Sequence, residues 1–224
     1  MILRKFIAIT LHEYLNEKYK KANIDVINDF YPEYYKNSKG NHDVVGWGSK
    51  KDQNKRFEVL LQIGVENGDT VLDFGCGLGA LYEYMNKHYD DFGYIGADIN
   101  QEFINKCKNK YPEAKFIKID DIKDVKLKYD WLIASGAFTV YTPIEDMLKT
   151  IKTAFTTVKY GIAVNFLEHT HAKNSDLAAI RGYDKKKIYK LFLEEFKEFH
   201  TVELHEGYIE NDFTIYIKKR EYFN

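Results

Sequence analysis

The chain has 224 residues, 45% apolar and 30% charged, enough for one substantial domain with a full core, and no apolar run approaches the length of a membrane span. Its net charge of −1 excludes a global basic field for nucleic acid. Only two cysteines occur, Cys76 and Cys107, and the first lies in a glycine turn, which argues against a structural disulfide and fits a reducing compartment.

Met1 to Thr10 carries Arg4 and Lys5, then a very short apolar run, and Glu13 follows without a cleavage site. No signal peptide is read, and the expectation is a soluble cytoplasmic protein. Residues 8–36 read as two helices, one marked by Leu11, Tyr14, Leu15 and Tyr19, the other by Val26, Ile27, Phe30, Tyr34 and Tyr35 with a break near Pro32. Such aromatic stripes are core or, alternatively, a lid over a site. Residues 37–50 form a polar loop in which Trp47 stands between Gly46 and Gly48, either a core anchor or an aromatic wall beside a ligand. Residues 51–64 read as a helix with Phe57, Leu60, Leu61 and Gly64 on its inner face.

From residue 69 strands and helices alternate. Strands are expected at 70–74, 94–99, 115–120, 130–135 and 161–167, and helices at 79–88, at 101–110 with Asn100 as its N-cap, and at 184–198. Thr142-Pro143-Ile144-Glu145 has the pattern of a capping box with proline at the first helical position. Two closing strands, 200–205 and 213–218, are joined by a connection too short for a helical crossover and should pair antiparallel. The alternation predicts an α/β fold with a doubly wound, mostly parallel sheet.

In such a sheet ligands bind beyond the carboxyl ends of the strands. There the chain places Asp73, Gly75, Cys76, Gly77 and Gly79 after the first strand, Asp98 and Ile99 after the second, Asp120, Asp121 and Ile122 after the third, and Ser135 and Gly136 after the fourth. Glycines allow positive φ and a close ligand approach. Asp98 is positioned to accept both hydroxyl protons of a ribose, and an acid at Asp120–Asp121 to accept from an adenine amine. The set points to an adenosine-type cofactor. Gly75-x-Gly77-x-x-Ala80 also satisfies a looser dinucleotide fingerprint. Asp73, however, would face an anionic pyrophosphate badly and an ammonium well. No Gly-Lys-Ser/Thr follows the turn, which excludes a Walker A loop.

These stretches resemble the class I S-adenosylmethionine-dependent methyltransferases. Val71 to Gly79 looks like their motif I, Gly96-Ala97-Asp98-Ile99 like the acidic motif after the second strand, Ile119 to Ile122 like the adenine motif, and Tyr129 to Gly136 like motif IV. The resemblance implies S-adenosylmethionine as cofactor and a Rossmann-like seven-stranded sheet with the last strand antiparallel. It fits a single domain, 1–224, with 1–64 as a helical N-terminal extension or lid on a core of 65–224. It also implies roles: the glycine turn on the methionine portion, Asp73 near its amino group, Asp98 on the ribose, and Asp121 with Ile122 on the adenine. By the same resemblance Trp47 borders the cofactor and Arg56 reaches its carboxylate, although Arg56 reads equally as a solvated helix residue.

The chemistry expected is methyl transfer to a small-molecule acceptor, with Asn165 and His169 as candidate catalytic groups beside Glu168 and His171. No metal site is expected. Neither an Asn-Pro-Pro-Tyr after the fourth strand nor a Pro-Cys pair is present. These absences count against base-directed methylation of nucleic acid, which stays an alternative, as do a non-catalytic binding domain and an NAD-dependent oxidoreductase.

Overall fold

The computed structural model describes residues 49–139, 142–168, 182–197 and 200–220. The expected helices before residue 49, with Trp47, and the loop carrying His169 and His171 lie outside the described residues. Helix α1 spans Lys50–Leu61, then come β1 (Thr70–Phe74), α2 (Ala80–His88), β2 (Gly93–Asp98), α3 (Gln101–Lys110) and β3 (Lys115–Lys118). A 3-10 turn at Ile122–Asp124 leads to β4 (Trp131–Ser135), α4 (Ile144–Thr157) and β5 (Gly161–Leu167), and α5 (Lys185–Phe196), β6 (His200–Glu206) and β7 (Asp212–Lys219) close the chain. Among the described residues no helix is long and apolar enough to cross a membrane.

The strands form one seven-stranded sheet in the order β3-β2-β1-β4-β5-β7-β6. The first five pair in parallel, while β7 is antiparallel to both β5 and β6. Because side chains alternate along each strand, the register sorts them onto two faces. Leu72, Ala134, Val164 and Phe166 pack beneath α4 and α5 on one face. Val71, Tyr94, Trp131, Ile133 and Tyr216 pack beneath α1, α2 and α3 on the other. Both faces of the parallel part are therefore buried, as right-handed crossover helices require.

The helix starts follow local chemistry. Ser49 Oγ accepts from the Asp52 N–H at 3.0 Å and opens α1. Asn100 Oδ1 accepts from Glu102 and Phe103 N–H at 2.9 and 3.1 Å, the cap expected from its position before α3. Helix α4 departs from expectation. It begins at Ile144, with Pro143 in extended backbone as the capping residue and no side-chain cap bond. Proline thus takes the capping position itself, one residue after the Thr142 expected there. Helix α1 ends at Leu61, leaving Gly64 beyond it rather than on its inner face.

Candidate functional site

The carboxyl ends of β1, β2, β3 and β4 open onto a cavity of about 230 Å³. Asp73, Gly75, Cys76, Gly77, Asp98, Ile99, Asp121, Ser135 and Gly136 all line it. Asp98 is the most firmly held of these. Its Oδ2 accepts the Gly77 N–H and its Oδ1 the Asn100 N–H, each at 2.8 Å. Burial pushes this carboxyl above its ordinary value, and N–H groups of Asn100, Gly77 and Ile99 pull it partly back. One Asp98 bond thus ties the second strand to the glycine turn of the first.

The turn itself needs glycine. Gly75, Gly77 and Gly79 have φ of 78°, 53° and 77°, in the left-handed region that side chains disfavour. A Cβ on Gly75 would come within 2.9 Å of the Ala137 Cβ. Gly79 is not at the cavity wall. It caps α2, and a Cβ there would meet the Tyr111 ring at 2.9 Å, so its role is to let the turn pack on α3.

Asp73 is 3% exposed and accepts a 2.6 Å hydrogen bond from the Tyr94 hydroxyl. Burial raises its carboxyl to about 7, with nearby Asp98 adding to the rise and Tyr94 opposing it. Asp121 differs. It caps the 3-10 turn, and the Lys123 backbone N–H, helped by the Lys123 ammonium, holds its carboxyl below the usual range.

Besides Gly79, three expected site residues sit elsewhere. Ile122 is buried in the core beneath α4 and is absent from the cavity wall, where Ile99 and Ile119 supply the apolar surface instead. Arg56 is buried against the sheet, its Nε paired with the Asp212 carboxylate on β7. Asn165 is fully buried on β5 away from the cavity, and its Nδ2 donates to the Tyr208 hydroxyl at 2.8 Å, which in turn bonds Thr214 at 2.8 Å. Glu168 lies 3.2 Å from the Lys185 ammonium. Cys76 is a buried free thiol at the cavity wall, raised well above its ordinary value by burial, so it is a packing group rather than a nucleophile.

Further residues line the cavity. Lys50, Gln53 and Phe57 reach the cavity from α1, Phe138 from the β4 end, and Asp146 and Thr150 from α4. The spacing of 50, 53 and 57 is itself a helical stripe, a signal available in the sequence once the helix is known. Among the described residues no three His, Cys, Asp or Glu side chains gather as metal ligands.

Residues 71–161 match a family model described as a methyltransferase domain. A putative methyltransferase 235L of Invertebrate iridescent virus 6 is 32% identical over 77 residues, 34% of this chain and 29% of that protein. Cyclopropane mycolic acid synthase 2 of Mycobacterium leprae is 33% identical over 92 residues, 38% of this chain and 30% of that protein. The matched stretch thus spans about three tenths of these relatives. The plantazolicin methyltransferase BpumL in complex with SAH superposes with a TM-score of 0.66 at 15% identity, covering 96% of this chain and all of that one. The magnesium protoporphyrin IX methyltransferase ChlM of Synechocystis PCC 6803, with bound SAH, gives 0.61 at 15% identity, covering 89% of this chain and 99% of that one. Residues 71–161 thus match a methyltransferase-domain model, and the sheet order is that of a fold this chain shares with solved methyltransferases.

Proposed function

We propose that the protein transfers a methyl group from S-adenosylmethionine to a small-molecule acceptor. The observation that carries this reading is the convergence of Asp73, Asp98 and the glycine turn on one cavity at the strand ends. When bound, S-adenosylmethionine supplies an already activated methyl group, open to in-line displacement. The chain's part is to bind and orient. Asp98, fixed by two backbone N–H groups, retains lone pairs for two ribose hydroxyls. Asp73 offers a buried carboxylate to an ammonium, and Asp121 an acceptor to an adenine amine. The donor set suits a cationic amino acid joined to adenosine, whereas a buried Asp73 beside the turn would repel a dinucleotide's pyrophosphate.

A small acceptor is supported by the near-zero net charge and by the absence of base-directed motifs after β4. Solved neighbours named for magnesium protoporphyrin IX and for plantazolicin share this fold, so the acceptor follows from the walls of the site and not from the fold.

The test is to incubate the protein with S-adenosylmethionine and a metabolite extract and to measure S-adenosylhomocysteine formed. Formation that needs both extract and intact Asp98 is expected. Cofactor binding without any turnover would contradict the proposal and favour a binding domain.

A further inference from the structure

Strand β6 ends the sheet, with β7 on one side and, among the described residues, no strand on the other. An edge of this kind carries backbone N–H and C=O groups that a further strand can pair. Edges that stay single are blunted by proline, lysine, a bulge or a covering segment. Residues His200–Glu206 contain no proline and no lysine, and their register with β7 runs unbroken over the strand.

The two faces of β6 differ. Val202 and Leu204 are apolar and half-buried, as is Tyr189 of α5, whose hydroxyl reaches the Val202 carbonyl at 3.5 Å. His205 and Glu203 alternate with them on the other face, their side chains 37% and 34% exposed, with Nε2 of the first 3.4 Å from an oxygen of the second.

If two copies of this strand pair antiparallel, the position of the two-fold axis decides which side chains oppose. An axis at Glu203 sets that carboxylate against itself. An axis at Val202 sets Leu204 against the imidazole of His200. An axis at Leu204 sets Leu204 on Leu204, and on the other face Glu203 against the partner's His205, a carboxylate against an N–H donor, twice by symmetry. The same axis sets Val202 against Glu206, whose carboxylate Lys185 already holds at 2.6 Å. The centre of the strand is therefore self-complementary in one register.

We infer that β6 is a self-association edge, at which two copies of the chain pair antiparallel about Leu204 and the sheet runs on from one to the other. The contact lies at the end of the sheet away from the cavity, so cofactor binding does not depend on it.

Sedimentation equilibrium of the intact protein tests this. One strand edge buries a small area, so a reversible dimer at about micromolar concentrations is expected. Leu204→Lys sets two ammonium groups on the axis, and His205→Glu sets a second carboxylate against Glu203. Each should weaken the dimer about tenfold or more, whereas His205→Lys keeps a donor in place and should leave it within about threefold. These positions are partly exposed, and melting curves should show all three variants folded. Amide hydrogen exchange needs no variant: protection of the wild type that grows with protein concentration should be confined to β6. A wild type still monomeric at about 0.1 mM would overturn the inference. So would a dimer that Leu204→Lys and His205→Glu leave intact, or concentration-dependent protection that falls on other elements.

Discussion

Asp98 and Asp73 are both buried acids at one cavity, yet their hydrogen bonds divide their roles. Asp98 receives N–H groups on both oxygens, which stabilises its charge. Asp73 has the Tyr94 hydroxyl and a carboxyl raised to about 7, so it is the group that takes up a proton near neutrality. If it meets the cofactor's ammonium, S-adenosylhomocysteine affinity should strengthen as pH rises through about 7, and Asp73→Asn should flatten that profile in calorimetry. Stability of the free protein should move the opposite way. The folded carboxyl lies above its unfolded value of 3.8, so the folded state keeps a proton that the unfolded state has released. Asp73's contribution is full below about pH 4 and is lost as pH rises to about 7. Melting temperatures of the wild type should carry this slope, and those of Asp73→Asn should lack it. At Asp98, replacement by alanine removes the ribose acceptor and frees the Gly77 N–H. A loss of S-adenosylhomocysteine affinity of about tenfold or more is expected by calorimetry, with the melting transition still cooperative. Unchanged affinity would remove Asp98 from the ribose.

At the scale of elements, α1 shows what the sequence revealed and what it hid. Its existence and inner face were readable from Phe57, Leu60 and Leu61, which are all buried. Its rotation about its own axis was not, because polar residues occur on two stripes and the pattern does not say which faces the cavity. That rotation is set by distant partners: Asp212 takes Arg56, and the Tyr216 hydroxyl donates to the Val59 carbonyl. They lie 156 and 157 residues away in sequence, beyond any local pattern. The same holds for Asn165, whose strand was evident but whose side chain is claimed by Tyr208. The glycine turn, Asp98 and the strand ends were readable because their spacing is local and their chemistry demands those residue types. Arg56→Met should therefore destabilise the protein by about 3 kcal/mol or more, since it leaves Asp212 buried without its guanidinium. Adding Asp212→Leu should recover much of that loss in chemical denaturation. A stable Arg56→Met protein with selectively lost S-adenosylhomocysteine binding would instead return Arg56 to the cofactor.

For the whole molecule, a buried parallel sheet with helices on both faces brings groups from four strand ends and one preceding helix to a single cavity. The antiparallel β6–β7 pair extends the sheet past β5 and, through β7, anchors α1 above that cavity. The fold thus makes one site from residues as far apart as Lys50 and Thr150. The cofactor is the central claim, and the most direct measurement is calorimetric titration of the intact protein with S-adenosylmethionine, S-adenosylhomocysteine and NAD in parallel. Saturable binding of the first two and none of the third is predicted. Binding of NAD with no response to either adenosyl compound would contradict it.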